Sequence, residues 1–368
     1  MEPIKLKWLI AHQPQYLFVR TAKAFRDELE KRCPGEFDIE ILDMKTYIAK
    51  YNEIPELNNK PASMEGLEKD WESKDSDNTF TPVAVQEIDK KWKSLFTAIK
   101  DGRIDISQTQ ATVIGSFLFK PFETLDLPFL FKDHDHVTRA LDGSIGENLR
   151  GMLETATGVK SLGFTYSGGF RIVGSNHDIA SVLELKDTTM QTVPTTTAMF
   201  NSPDIKAKAF PRKALDVQEM KDFAKGVKSA IETTYLRFKG THILKTNHSM
   251  FLTSILAGSK LFDKLTLEQQ EAFKESAYAV SKIERKWSLE DCEKYERDAV
   301  ANGVQIREIT QEETDILANN AHRSYEQFYS TTFATREEAE DANFVHQGEQ
   351  SVDVYNKRKN LVEQIQAA

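Results

Sequence analysis

Residues 104–143 read IDISQTQATVIGSFLFKPFETLDLPFLFKDHDHVTRALDG. The stretch opens as a short strand, IDISQ (104–108), with Gln108, Thr109 and Gln110 at its carboxyl end. An amphipathic helix over 83–100 precedes it, with Val85, Ile88, Trp92, Leu95, Phe96 and Ile99 on one stripe and Gly102 at its close. Open α/β sheets bind ligands at such carboxyl-terminal strand edges, so these three residues are candidate cleft residues. Downstream, LDLPFLF (125–131) forms a compact apolar element around Pro128, and helical spacing follows over 134–142 and 145–156.

The flanking sequence continues an α/β pattern. Residues 4–11 read as a buried strand, 19–32 as a helix ended by Pro34-Gly35, and 37–42 as a second strand, a β-α-β opening. Residues 162–166 and 170–173 read as strands separated by a flexible Ser167-Gly168-Gly169 turn. A short helical pattern over 178–187 leads to a strand at 190–193, and mixed strand and turn pieces follow over 203–215. Residues 217–229 read as a helix and 243–255 as one or two strands. A long charged helix is expected from Thr266 to about Asn302, capped by Thr266 with Gln269 at its third position. Its length predicts a bend or break. QIREI (305–309) is a strand, and Thr310 with Glu313 forms a capping box for the next helix. Residues 52–82 are a polar excursion with three prolines, and the tail after Ser330 is weakly patterned, with a last helix expected near 352–366.

The chain has 368 residues, a length that suits two lobes better than one core. The formal charge of −9 has acids and bases interspersed, which gives no general attraction to nucleic acid or anionic membrane. An anionic ligand therefore requires local positive charge. The two cysteines, Cys33 and Cys292, establish no pairing by their spacing. No run of about 20 apolar residues and no hydrophobic leader core is visible. A cytoplasmic protein and a mature exported chain are both open on that ground.

Motifs for catalysis are absent: there is no Gly-x-Ser-x-Gly, P-loop, dinucleotide fingerprint or His-Glu-x-x-His. Asp133-His134-Asp135-His136 has the composition of a metal site, but no third ligand is signalled nearby and N-cap duty fits it better. His242 and His248 lie around an expected strand without an evident nucleophile beside them. Glu184 and Asp187 read as a solvated helix face, and the four tryptophans form no repeated basic-aromatic pattern. No cofactor is expected.

Several blocks, in order, resemble the substrate-binding component of the tripartite ATP-independent periplasmic (TRAP) transporters, of the dicarboxylate (DctP) type. They are residues 104–143 with LDLPFLF, LGFTYSGGFRIVGSNHDIASVLELKD (162–187), MQTVP (190–194), the segment 227–242, and LFDKLTLEQQEAFKESA (261–277). The resemblance implies an α/β, two-lobed clamshell with crossing strands and a long spanning helix. It implies lobes of 1–166 plus 244–285 and 167–243 plus 286–330, with 331–368 an extension packed on them. It also implies a small organic acid in the cleft, membrane permease subunits as partners, a periplasmic monomer and no chemistry on the ligand.

Candidate ligand-binding residues are Arg171, Thr192, Glu232, Thr233, His12, Gln13, Gln108, Thr109, Phe170 and His242. A guanidinium suits a carboxylate because it donates two parallel hydrogen bonds. The family's arginine in its RVP motif aligns with Thr192 here, while the earlier arginine persists as Arg171. Lys206, Lys208 or Arg212 is then expected to substitute, or the ligand is not a usual carboxylate. Two alternatives remain: a sensory ligand-binding protein, and a two-lobed enzyme using His12 or His242.

Overall fold

The computed structural model describes residues 2–11, 15–51, 85–211, 229–238, 240–330 and 351–368. Its strands are β1 (Ile4–Ile10), β2 (Phe37–Asp43), β3 (Ile106–Gln110), β4 (Val159–Phe170), β5 (Ile172–Ser175) and β6 (Thr189–Thr192). They continue with β7 (Lys208–Pro211), β8 (Ser229–Thr233), β9 (His242–Lys245), β10 (Met250–Gly258) and β11 (Gln305–Glu308). The main helices are α1 (Gln15–Arg32), α2 (Met44–Tyr51), α3 (Val85–Asp101), α4 (Ala111–Phe117), α5 (His134–Asp142) and α6 (Ser144–Thr157). Three more follow: α7 (Leu267–Ala301), α8 (Gln311–Ser330) and α9 (Ser351–Ala367).

Two sheets result, and they define the two-lobed α/β fold. One has the order β2-β1-β3-β10-β4, the other β11-β9-β5-β8-β6-β7. In the first, β1 runs parallel to β2 and β3, while β10 is antiparallel to β3 and β4. Trp8, Phe25, Phe273 and Ile255 fill its core on the α1 and α7 side, and Leu9, Phe122, Leu149 and Leu256 fill the other. Val173, Met190, Phe200 and Leu244 make a separate core on the second sheet.

Besides the passage from β10 through α7 to β11, the chain crosses directly from strand to strand between the sheets at two described points. Arg171 separates β4 from β5, and Thr246–Ser249 separate β9 from β10. These crossings fall a few residues beyond the lobe boundaries expected at 166/167 and 243/244. They are tied together where the Arg171 amide donates to the Ser249 carbonyl at 2.8 Å.

Helix α7 lies along the first crossing. It runs unbroken for 35 residues, so the expected break does not occur. Its capping box is reciprocal: Gln269 N donates to Thr266 Oγ1 at 3.2 Å and Thr266 N to Gln269 Oε1 at 3.0 Å. Thr310 and Glu313 pair the same way at the start of α8, at 2.8 and 3.1 Å.

The Ser167-Gly168-Gly169 segment is no free turn. It lies inside continuous β4, with φ of 99° at Gly168 and 69° at Gly169. Glycine is required because a Cβ on Gly168 meets the Thr234 side chain at 2.6 Å and Cys292 Sγ at 3.2 Å. The Gly168 amide and carbonyl are bonded to Ser288 Oγ and Cys292 Sγ, so α7 clamps the crossing. Cys33 and Cys292 are both buried and free, and burial pushes the Cys292 thiol up to about 12.

Leu361, Val362 and Ile365 of α9 enter the core of the first sheet, and Arg358 donates to the Phe328 carbonyl at 2.7 Å. The excursion at 52–82 and most of the helix expected at 217–229 lie outside the described residues.

Gly168→Ala is expected to cost about 1–3 kcal/mol in urea unfolding, because a side chain is forced into a glycine-only conformation against α7. Gly151→Ala, on the open face of α6, is expected to stabilise by about 0.5–1 kcal/mol.

Candidate functional site

The crossing places Arg171 at the middle of a buried charged cluster. Arg171 is 2% exposed, and Asp126 is fully buried beside it. Asp126 ends a 3-10 turn (Lys120–Asp126) packed on the first sheet, whereas Glu232 comes from β8 of the second. Arg171 Nη2 donates to Asp126 Oδ1 at 2.7 Å, and Thr112 Oγ1 donates to Asp126 Oδ2 at 2.8 Å. Arg171 Nε stands 3.6 Å from Glu232 Oε1. Its Nη1 makes no hydrogen bond with any described residue. The guanidinium carbon lies 4.4 Å from the centre of the Phe251 ring, a cation–π contact that helps a buried charge.

Glu232 is the most heavily supported group in the cluster. One oxygen accepts from the Val193 amide at 2.9 Å and from Thr196 Oγ1. The other accepts from Ser249 Oγ at 3.2 Å and stands 3.2 Å from His248 Nε2. That imidazole contact lies outside hydrogen-bond geometry. His248 is held at Nδ1 by Thr246 Oγ1, 2.7 Å away.

The two carboxyls are displaced in opposite directions. Burial pushes Asp126 up to about 6, since the Arg171 charge and the Thr112 bond offset only part of that cost. Burial also acts to raise Glu232, but His248, Arg171 and Thr196 outweigh it and bring the group down to about 2.

Of the candidates read from sequence, Arg171 and Glu232 meet here. Thr192 is adjacent through Val193, but its hydroxyl is turned to Thr197 Oγ1 at 2.8 Å and the Phe210 carbonyl at 3.2 Å. Thr233 follows Glu232 in β8 and is buried. Phe170 precedes Arg171, with its ring 5.1 Å from that of His134.

The remaining candidates lie elsewhere. Gln108 is buried in the first sheet, where Nε2 donates to Thr165 Oγ1 at 2.8 Å and Thr253 Oγ1 at 3.1 Å. Thr109 is buried beside it. His242 does not join the cluster: it begins β9, four residues before the crossing, and its imidazole stands 3.6 Å from the exposed Asp178. His12 and Gln13 lie outside the described residues.

Lys206 and Lys208 do not replace the absent arginine. Both are exposed, and Lys208, with 65% of its side chain accessible, faces Asp187 at 3.9 Å. Arg212 is outside the described residues. Asp133 is an N-cap, accepting from the His136 amide at 2.7 Å. His136 is buried and bonded to Lys132 N and the Ile365 carbonyl. No group of three or more His, Cys, Asp or Glu among the described residues is placed to hold a metal.

Asp126 is the member of this cluster that sequence reading missed, and His248 stands there only as one of two histidines around an expected strand. Asp126 carried one signal: it is the lone acid in the apolar LDLPFLF run.

A two-lobed α/β molecule whose crossing strands bury a charged cluster between the sheets belongs to the class of solute-binding clamshells. Residues 90–332 match the model of bacterial extracellular solute-binding protein family 7, DctP, and the chain belongs to that family.

Among curated relatives, the 2,3-diketo-L-gulonate-binding periplasmic protein YiaO of Escherichia coli is 24% identical over 225 residues, 58% of this chain and 66% of that protein. A solute-binding protein of Verminephrobacter eiseniae is 28% identical over 214 residues, 57% of this chain and 63% of that protein. The chain thus spans just under two thirds of each. The fold matches a TRAP periplasmic solute-binding protein from a Sulfitobacter species with bound β-D-galacturonate, at a TM-score of 0.69 and 16% identity over 99% of this chain and 100% of that one. One from Chromohalobacter salexigens with bound D-glucuronate gives a TM-score of 0.69 at 15% identity over 98% and 99%.

Glu232→Ala is expected to cost about 3–5 kcal/mol, since it leaves Arg171 with less compensation in a buried site. Native Glu232 favours the fold above its ordinary value, and that contribution is lost as pH falls through about 2. Asp126 has the opposite sign: with a folded value of about 6, its ionisation weakens the fold as pH rises from about 4 to 6. Urea unfolding of Asp126→Asn between pH 4 and 7 is expected to lose that decline. An unchanged slope would remove Asp126 from this role.

Proposed function

We propose that this chain is the extracytoplasmic solute-binding protein of a TRAP-type transporter. It captures a small organic acid in the cleft at the strand crossings and delivers it, unmodified, to membrane permease subunits. It acts as a periplasmic monomer in this reading. The observation that carries it is Arg171, which is held rigidly between the two sheets by Asp126 and Glu232 and keeps Nη1 without a partner among the described residues. The bound ligands of the two structures named above are sugar acids, which supports an acid as the solute class.

Binding is favoured over catalysis by the burial of this cluster. Glu232 and His248 are buried against each other, and the hydroxyls they contact, those of Thr196, Ser249 and Thr246, are buried with them. A cleft of this kind serves to close on a ligand.

The test is a thermal-shift screen of protein refolded to remove carried-over solute, against organic acids, sugar acids, amino acids and neutral polyols. An acid that binds only the native state is expected to add about 2.7 kcal/mol at a hundredfold excess over Kd. Arg171→Met, checked by circular dichroism for an intact fold, is expected to lose that gain. A full shift in the folded variant would sink the assignment.

A further inference from the structure

The cluster at the strand crossing packs two carboxyls, a guanidinium and an imidazole into one buried space. The side chains of Asp126, Arg171, Glu232 and His248 are each at most 2% exposed. Asp126 is faced by Arg171 from the crossing, by Thr112 from α4, by Glu232 from β8 and by Glu123 from its own 3-10 turn. His248, from the other crossing segment, stands 3.2 Å from Glu232 Oε1. Glu123 is paired with Lys120 at 2.5 Å, and the less buried Arg237 lies 5.5 Å from the centre of the Phe251 ring that Arg171 also faces.

A solute carboxylate at Arg171 Nη1 brings one more negative charge into this space. Like charges out of reach of water do not all stay ionised, so a titratable group beside the new anion takes up a proton.

The hydrogen bonds decide which group that is. Glu232 is fixed as an acceptor: one oxygen receives the Val193 amide, a donor that cannot reverse, and the other receives Ser249 Oγ. Asp126 is not fixed in this way. Its Oδ1 accepts from Arg171, as the carbonyl oxygen of a neutral carboxyl also does. Its Oδ2 meets the Thr112 hydroxyl at 2.8 Å, and a hydroxyl serves as donor or acceptor by rotation. A proton on Oδ2 therefore reverses that one bond and breaks neither contact. The same bias is present without solute, since burial holds Asp126 up at about 6 while its partners hold Glu232 down at about 2.

We infer that the cleft captures its acid together with a proton, which Asp126 Oδ2 takes from solvent and donates in a hydrogen bond to Thr112 Oγ1. This rests on the acid-capture reading above. The anion favours the proton, so by linkage the proton favours the anion. The gain is complete below the solute-free value of Asp126, about 6, and is lost as pH rises through the higher value of the complex. An uncharged solute brings no anion and takes up no proton.

The test is isothermal titration of refolded protein with D-galacturonate, D-glucuronate, L-gulonate and uncharged D-galactose between pH 6 and 8. PIPES and imidazole, buffers of different ionisation enthalpy, make the heat a count of protons. For an acid, wild type is expected to take up about 0.5 to 1 proton at pH 7, and Kd is expected to weaken by about tenfold or more from pH 6 to 8. Asp126→Asn is expected to lose both the proton count and the pH slope. A difference infrared spectrum of wild type, acid-bound against free, is expected to gain the carbonyl band of a protonated carboxyl, a readout that needs no variant.

Acid binding with no proton uptake and a flat Kd would overturn this inference and leave the acid-capture reading standing. Proton uptake without a carboxyl band, or uptake that persists in folded Asp126→Asn, would place the proton elsewhere and overturn it too. No heat from any of the acids at any pH would bring down both readings.

Discussion

A guanidinium at 2% exposure is tolerated only because two carboxylates and an aromatic face surround it. That constraint organises the centre of this molecule. Asp126 must be delivered from the first sheet's side and Glu232 from the second, so the ion cluster fixes how the sheets stand at the crossing. The backbone follows the same logic, with Arg171 N bonded to Ser249 O between the two crossing segments. Helix α7 supplies the outer brace through Ser288 and Cys292, and only glycine at 168 allows it to approach that closely. A buried charge network of this kind is weak as a source of stability and strong as a source of geometry.

The fold was largely legible because its signals are local. The capping residues Thr266 and Thr310, the Pro34-Gly35 stop and the alternation in FDIEIL depend on neighbours within a few residues. The last helix appears at Ser351–Ala367, close to the expected 352–366, although its pattern is weak. The failures are tertiary. Ser167-Gly168-Gly169 reads as a turn by composition, yet the contact with Thr234 and α7 makes it a strained part of a strand. The long helix carries no break because β4 supports it along much of its length.

The site was legible only in part, for the same reason. Arg171 and Glu232 stand in blocks that resemble the family's motifs. Asp126 is disguised by the apolar residues around it, and its partner is 45 positions away. His248 rather than His242 reaches the cluster, because the crossing at Thr246–Ser249 turns the later residue inward while the earlier one stays at the start of β9. Gln108 and Thr109 sit at the end of a strand by sequence, but β10 pairs along β3 and buries them in the sheet.

The most direct test of the account is a crystal structure of the protein with a bound sugar acid. The account predicts a carboxylate oxygen about 3 Å from Arg171 Nη1, with Asp126 still on Nη2 and Glu232 still bonded to Val193 N. A carboxylate bound away from the strand crossings, with Arg171 Nη1 left without a partner, would contradict it.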